Sequence, residues 1–235
     1  KKRNLTVLDA TCPLVTRVHN EAKKYDKEGK EIVLVGHVGH QEVIGTTGHA
    51  DMTLIDERED WSLPDWEKGT EIAVLTQTTL SVNDTAIAVN KIKKKYPDAV
   101  IRDDICYATT NRQAAATELA DITELVLVIG AQNSSNCNRL KDVALNKGIP
   151  AYLINGPEEL DTDWLEGVSK IGITSGASTP ENQVKAVIKF LAPENVFRIG
   201  PGEESTTFAI PRNLREVIGD GVRNSKEKQA PDEDH

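Results

Sequence analysis

The two halves of this 235-residue sequence superimpose when one is shifted by 94 positions. The shift places Cys12 on Cys106 and the apolar run at 32–35 on the run at 126–129. Farther along, a shift of 98 pairs Thr76 with Thr174 and the helix-start segment 81–84 with 179–182. Several matches in one register are better explained by duplication than by chance. We therefore predict an α/β fold built from two pseudosymmetric units, each with three layers.

Apolar β-branched runs at 32–35, 72–75 and 126–129 are typical of strands buried on both faces of a parallel sheet. Apolar residues at helical spacing lie between and after these runs and predict helices that cover the sheets: Val15, Val18, Ala22 and Tyr25, then Val184, Val187, Ile188 and Leu191. Gly29 is expected to end the first helix. The predicted units span residues 8–100 and 101–193. Residues 4–9 are predicted as a strand, and 194–235 as a tail, with extended stretches at 196–199 and 206–211 and disorder over 224–235.

Charge and composition restrict the classes of partner. The net charge of -9 argues against nucleic acid or an anionic membrane as the main partner, so an anionic substrate must be bound by local groups. No apolar run approaches the roughly 20 residues that a membrane span requires. Three widely separated cysteines without a C-x-x-C pair argue against a disulfide scaffold or a zinc ribbon. We expect a reducing compartment and, because no targeting signal is seen, the cytoplasm.

Two of the cysteines occupy equivalent positions in the repeat. Pro13 follows Cys12 directly, and because proline is favoured in the first turn, Cys12 is predicted to precede a helix; the repeat places Cys106 in the same way. The positive end of a helix dipole favours the thiolate, which is the form that binds metal. A lone cysteine of this kind is more often structural, but two equivalent ones predict ligands of a shared metal centre. Two thiolates do not complete an iron–sulfur site, so a third ligand must come from elsewhere.

Polar side chains cluster where the predicted strands end. They are His40, Glu42 and Thr78 in the first unit, and Ser134, Ser135, Asn136 and Ser178 in the second. Carboxyl ends of parallel strands and N-termini of helices are where open α/β sheets bind ligands and phosphate. Helix capping is the alternative explanation, and we expect it for Ser81 and Thr179. Capping needs only one of the three residues 134–136, so these small polar side chains together predict a diphosphate site.

The pair His40 and Glu42 indicates proton transfer, because a carboxylic acid beside an imidazole can relay protons to a bound substrate. A zinc site is disfavoured since the H-E-x-x-H helical spacing is absent. His37 and His49 have no such partner in the sequence and are predicted to be surface or loop residues.

From about residue 6 to residue 211, the sequence resembles the 4-hydroxy-3-methylbut-2-enyl diphosphate reductases. The motifs that carry the resemblance are residues 9–13 (Asp-Ala-Thr-Cys-Pro), 36–43, 76–81, 106–113, 134–136 and 176–180. The resemblance implies three pseudosymmetric α/β units around a 4Fe–4S cluster held by three cysteines. It further implies that the substrate's C4 hydroxyl binds the fourth iron and leaves as water, with electrons from ferredoxin or flavodoxin and isopentenyl and dimethylallyl diphosphate as products.

Carried over position by position, the resemblance implies cluster ligation by Cys12 and Cys106. It implies proton delivery by Glu42 with Thr78 near the substrate hydroxyl. The implied diphosphate contacts are His40, Ser134, Ser135, Asn136 and Ser178, with Thr78 also in the substrate site. Cys137 lies beside Asn136 at a position that is not a ligand in the family, and we expect it to be incidental. Gln41 replaces a proline that is common in the family, with little expected consequence.

The two predicted units would be the second and third of the family's three. The first unit, with the third cysteine and two more histidines for the diphosphate, is expected before Lys1, so the chain as it stands is expected to be inactive. The alternative function is a cluster-free diphosphate-binding module or a degenerate paralogue. A purely structural α/β protein would leave the two equivalent cysteines unexplained.

Overall fold

The computed structural model describes residues 9–200. Of the predictions above, the strand over residues 4–8, the extended stretch at 206–211 and the disorder at 224–235 lie outside this range. Residues 196–199, which were expected to be extended, form no strand.

The described chain alternates strands and helices in order. The helices are α1 (Pro13–Lys27), α2 (Gln41–Thr47), α3 (Val82–Lys95), α4 (Tyr107–Ile122), α5 (Ser135–Asn146) and α6 (Glu181–Leu191). The strands are β1 (Glu31–Val35), β2 (Thr53–Ile55), β3 (Ile72–Thr76), β4 (Val100–Ile101), β5 (Leu125–Ile129), β6 (Ala151–Ile154) and β7 (Ile171–Ser175). Two short 3₁₀ turns, Pro157–Glu159 and Thr162–Leu165, follow β6.

The first sheet is parallel throughout, in the order β2-β1-β3-β4. Because side chains alternate along a strand, Ile32 and Leu34 of β1 pack on one face with α1 and α2. Val33 and Val35 pack on the other face with α3. Helices therefore cover both faces, which is why β1 is apolar at every position after Glu31.

The second sheet repeats this arrangement in the order β6-β5-β7, again parallel. Val126 and Val128 face α4 and α5, whereas Leu125, Leu127 and Ile129 face α6. The predicted α/β class with helices on both faces of parallel sheets is confirmed. Gly29, with a φ of 72° after α1, has the left-handed conformation expected at the end of a helix.

Strand pairing shows where the repeat was aligned correctly. β1 and β5 match at the predicted shift of 94. Val35 pairs with Thr76, and its equivalent Ile129 pairs with Ser175, so β3 and β7 match at a shift of 99. The predicted shift of 98 was one residue short: between the paired strands, β1 to β3 and β5 to β7, the second repeat carries five residues more than the first, and the predicted shifts of 94 and 98 allow for four.

The same one-residue error in alignment affects the predicted caps. Ser81 caps α3, its Oγ accepting from the N–H of Asp84 at 3.2 Å, as predicted. For Thr179 the predicted cap was wrong: α6 is preceded by Pro180, without a side-chain cap. The Thr179 hydroxyl instead donates to the carbonyl of Ile129 at 2.9 Å.

Residues 14–200 belong to one compact unit, which holds both sheets. β4 spans the predicted boundary between residues 100 and 101 and pairs with β3. The division into 8–100, 101–193 and 194–235 stays a prediction. Among residues 9–200, no helix has both the length and the hydrophobicity to cross a membrane.

Candidate functional site

Gln77 joins the strand-end loops of the two sheets. It follows β3 directly, and its Oε1 accepts from the backbone N–H of His37 at 3.0 Å. Its Nε2 donates to Thr79 Oγ1 at 2.7 Å and to Ser135 Oγ at 3.4 Å. Ser135 Oγ in turn donates to the carbonyl of Thr79 at 3.4 Å. Gln77 was not among the predicted site residues, although its place at a strand end within a quoted motif was the available signal.

Glu42 and Thr78 are brought together as predicted. Glu42 lies in the first turn of α2, and Thr78 lies just past the end of β3. The Thr78 N–H donates to Glu42 Oε1 at 2.7 Å, and its hydroxyl donates to Oε2 at 3.0 Å. Both carboxylate oxygens are therefore held by one residue, which fixes the orientation of the acid.

The surroundings of Glu42 favour its protonated form. Burial raises its pKa above the usual value, the two hydrogen bonds from Thr78 lower it, and the nearby carboxyl of Asp104 raises it again. The net direction is upward. A carboxylic acid with a raised pKa holds its proton closer to neutral pH, which a general acid requires.

Cys106 adjoins this pair through the backbone. It is the N-cap of α4, as the repeat predicted, and its N–H donates to the carbonyl of Thr78 at 3.0 Å. Its Sγ accepts from the N–H of Thr109 at 3.3 Å and lies 3.1 Å from Thr109 Oγ1. Cys12 directly precedes α1, as predicted, and is exposed.

His40 is the N-cap of α2, and its Nδ1 accepts from the N–H of Glu42 at 3.3 Å. Burial, His37 and the charge of Arg58 together lower its pKa. The ring is therefore neutral at neutral pH. Because Nδ1 is the acceptor, the proton of a neutral ring resides on Nε2, which becomes a fixed donor for an anion.

The equivalent positions in the second sheet have small neutral side chains. Ser134 caps α5 by accepting from the N–H of Cys137 at 3.3 Å. Asn136 is only 6% exposed, and within the described residues neither polar atom of its side chain has a hydrogen-bond partner. Its Nδ2 faces the loop after β7, 3.8 Å from where a Cβ on Gly176 would lie. Ser178, on that same loop, is exposed.

Cys137 has a packing role. Its side chain is 1% exposed and lies against the backbone of Gly130 and Gly176, at both of which an added Cβ would collide with Sγ. The equivalent residue in the first sheet is Val43, which packs against Gly36 in the same way. A sulfur that fills the place of a valine side chain is not available to a metal centre.

His37 lies in the loop after β1, as predicted, but it is buried and has partners that the sequence did not reveal. It is 7% exposed, and its Nε2 lies 2.8 Å from Glu57 Oε1 and 2.9 Å from Arg139 Nη2. Burial opposes the charge of Glu57, but the hydrogen bond from His37 and the positive charge of Arg139 hold its pKa below the usual value. Neither partner is near His37 in the sequence, which is why sequence reasoning missed them.

A pocket of about 410 Å³ lies beside these groups. Its lining includes His40 and Ser135 from the predicted diphosphate set, together with Arg58 and Arg139. The loops of both sheets therefore face one cavity. The structure places His40, Glu42, Thr78, Ser135 and Cys106 in one connected region, whereas the position of Cys12 relative to them stays a prediction.

Comparison with known proteins gives one consistent result. A family model described as LytB protein matches residues 1–192. The 4-hydroxy-3-methylbut-2-enyl diphosphate reductase of Glaesserella parasuis is 45% identical over 225 residues, covering 92% of this chain and 72% of the relative. The enzyme of that name from Azotobacter vinelandii is 44% identical over 230 residues, covering 93% and 73%.

Among solved structures, the E-1-hydroxy-2-methyl-but-2-enyl-4-diphosphate reductase from Plasmodium falciparum is similar, with a TM-score of 0.85 and 32% identity. The alignment covers 97% of this chain and 73% of that one. The family match over most of the sequence, together with these relatives, shows that this chain belongs to the LytB family of 4-hydroxy-3-methylbut-2-enyl diphosphate reductases.

Proposed function

We propose that this chain works in the reductive removal of the C4 hydroxyl of 4-hydroxy-3-methylbut-2-enyl diphosphate, the last step of the non-mevalonate isoprenoid pathway. The products are isopentenyl and dimethylallyl diphosphate, and ferredoxin or flavodoxin supplies the electrons in the cytoplasm. The family supports this reaction. The observation that carries it is the link from Glu42 through Thr78 to Cys106, which joins a proton donor to a predicted cluster ligand.

Glu42 supplies the proton to the departing hydroxyl. The substrate loses that hydroxyl as water and gains a hydrogen on carbon, so each turnover consumes two electrons and two protons. A carboxylic acid whose pKa is raised by burial holds a proton at the pH where the reaction runs. Thr78 holds both oxygens of Glu42 in place, so the acid does not need to reorient when the hydroxyl arrives.

The diphosphate is bound by neutral donors. His40 offers its Nε2–H, and Asn136 offers an amide whose atoms have no partner within the described residues. A buried amide left in this way costs free energy unless a ligand satisfies it. Ser134, Ser135 and Ser178 add hydroxyl groups around the N-termini of α5 and α6. Neutral donors and helix dipoles suit an anion in a chain whose net charge is -9.

The residues present fit the iron–sulfur cluster that the family implies. Cys106 is half-buried, sits at a helix N-terminus and accepts a backbone N–H, which is the setting of a thiolate ligand. We propose Cys12 as the second ligand. When bound, the cluster supplies electrons and Lewis acidity toward the hydroxyl.

Replacement of Glu42 tests this function. In the full-length protein, Glu42→Gln keeps the hydrogen bond from the Thr78 N–H but has no acidic proton to give. We expect turnover to fall by about 10²- to 10⁴-fold, with iron and sulfide content unchanged. Glu118→Gln, an exposed position on α4, is the matched control and should retain full turnover. Unchanged turnover in Glu42→Gln would remove this residue from the mechanism.

The second candidate is a cluster-free diphosphate-binding module, a reading that the unpartnered amide of Asn136 also supports. Binding of inorganic diphosphate before and after removal of iron separates the two functions. Tight binding by a protein that never assembles a cluster and shows no turnover favours the module. Assembly of a cluster that accepts electrons from reduced ferredoxin favours the reductase.

A further inference from the structure

We propose that Arg139 is a positioning residue, which through Glu57 and His37 holds the loop carrying His40 in register with the helix carrying Ser134, Ser135 and Asn136. This inference rests on the proposed function, because it concerns how the diphosphate groups of the two sheets are kept at a fixed separation.

Arg139 is one turn along α5 from Ser135, and its guanidinium contacts loops of the first sheet. Nη2 lies 2.9 Å from His37 Nε2 and 3.3 Å from Glu57 Oε1. Nη1 lies 3.3 Å from Asp142 on its own helix and 3.8 Å from Asp84 on α3. One side chain therefore contacts α5, α3, the β1–α2 loop and the segment after β2.

A backbone hydrogen bond connects His37 to His40. The carbonyl of His37 accepts from the N–H of His40 at 3.1 Å, closing the turn between them. The next residue, Val38, is held by Asp56, whose Oδ2 accepts its N–H at 2.9 Å. A displacement of His37 would therefore displace the Nε2–H of His40. Displacements near 1 Å already weaken a positioned site considerably.

The burial of this bridge makes it rigid. The side chain of Arg139 is 14% exposed and that of Glu57 5%, so neither is loosely solvated. Arginine presents a planar fork that makes several directed contacts at once, which a lysine ammonium on a flexible stem does not reproduce. Such a group loses little additional freedom on binding substrate, so the geometry it sets exists before the ligand arrives.

Two other roles fit less well. His37, Asp56 and Glu57 bring potential ligand atoms within 4.8 Å of one another, as a metal site would. Both carboxylates, however, already face a guanidinium, Arg58 at Asp56 and Arg139 at Glu57. A direct anion contact by Arg139 is the other role, but its two terminal nitrogens already face carboxylates on three elements.

Arg58 offers a matched control. It also lines the 410 Å³ pocket, but its guanidinium pairs with Asp56, only two residues away, and does not contact the second unit. Arg58→Gln removes the same charge from the same cavity without removing a bridge. At pH 8 His40 is neutral with or without Arg58, because even the ordinary pKa of histidine is about 6.5.

The test is calorimetric titration of the full-length protein with inorganic diphosphate at pH 8. We expect Arg139→Gln to raise Kd about 10-fold, Arg139→Lys to recover part of the loss, and Arg58→Gln to stay within about two-fold of the unsubstituted protein. In turnover assays Arg139→Gln should raise KM with kcat within about two-fold, because Glu42 and Thr78 are untouched. A merely structural defect would reduce the active fraction and lower kcat at constant KM.

Arg139→Gln leaves Glu57 buried without its cation, and Arg58→Gln does the same to Asp56, so thermal unfolding of both variants must show a folded protein before their Kd values are compared. The double variant Glu57→Leu with Arg139→Met removes both charges, a replacement that proteins often tolerate, and should weaken diphosphate binding to the same degree. Binding by this double variant or by Arg139→Gln at the unsubstituted Kd would overturn the positioning role, as would equal losses in Arg139→Gln and Arg58→Gln. Absence of binding by the unsubstituted protein would overturn the proposed function, and the positioning role with it.

Discussion

The loop after β1 and the loop after β5 share a backbone and differ in chemistry. In both, a glycine packed against a side chain of the following helix comes directly after the strand, and an N-cap follows four residues later. The N-cap is His40 in one loop and Ser134 in the other. Two residues later, in the first turn of the helix, the first sheet has Glu42, whose carboxylate accepts hydrogen bonds from Thr78. The second sheet has Asn136, whose amide has no partner within the described part of the chain. The duplicated scaffold repeats the backbone geometry, while the side chains differ in the way that the proposed roles in proton delivery and anion binding require.

The cysteines show the same contrast. Cys106 and Cys12 stand at equivalent helix starts, whereas Cys137 is the equivalent of Val43 and fills its packing position. In the full-length protein, Cys106→Ala should therefore abolish cluster assembly and reduce turnover to background. Cys137→Ala should keep its iron and cost about 1 kcal/mol of stability from lost packing. Iron and sulfide analysis with thermal unfolding checks both, and iron loss in Cys137→Ala would show that the repeat assigns the ligands wrongly.

The features that sequence predicted are those set by local rules. A proline after Cys12, a polar residue before a helix and an apolar run on a strand each act over a few residues, so β1, β5 and the cap at Ser81 followed from pattern. The repeat correctly predicted Cys106 at the start of a helix for the same reason. Where the second repeat is longer than the first, between β5 and β7, the same reasoning misplaced β7 by one position and assigned a cap to Thr179.

The features that sequence did not predict depend on distant contacts. Arg139 and His37 are 102 residues apart, Arg139 and Glu57 82. Gln77 reaches Ser135 across 58 residues. No periodicity or cap rule connects such positions, because their proximity arises only when the two sheets are placed together. Sequence reasoning therefore named the candidate ligand groups, which stay a prediction, but missed the groups that we propose hold them in register.

Replacing the amide of Asn136 by a carboxylate tests whether the two regions have different roles. Asn136→Asp makes the second loop acidic, as the first is, and places a negative charge where the diphosphate is proposed to bind. We expect the Kd for inorganic diphosphate to rise about 100-fold, from the loss of a charged hydrogen bond together with repulsion. Asn146→Asp, an exposed position at the far end of α5, carries the same charge change as a control and should bind normally. Equal binding by both variants would separate Asn136 from the diphosphate site.

Removing the hydroxyl of Thr78 tests whether Glu42, in the first of the two regions compared, acts as a proton donor. Thr78→Val keeps the backbone N–H bond to Glu42 Oε1 but loses the hydroxyl bond to Oε2, which stabilises the charged carboxylate. The pKa of Glu42, already raised by burial, should rise further, so the alkaline limb of the pH–turnover profile should move to higher pH. Thr85→Val is the matched control, because its buried hydroxyl has no hydrogen-bond partner within the described residues.

The same substitution should also change how the free energy of unfolding depends on pH. A carboxyl whose folded pKa lies above its unfolded value binds its proton more tightly in the folded state. The stabilisation that this proton gives to the folded state is fully present below the unfolded pKa, and it is lost as the pH rises through the folded pKa. In Thr78→Val this loss should extend to higher pH than in the unsubstituted protein, which urea unfolding across that range would detect. An acidic limb that moves to higher pH in Thr78→Val, with the alkaline limb unmoved, would mean that Glu42 works as a charged carboxylate. The first loop would then differ from the second by charge alone and not by proton delivery.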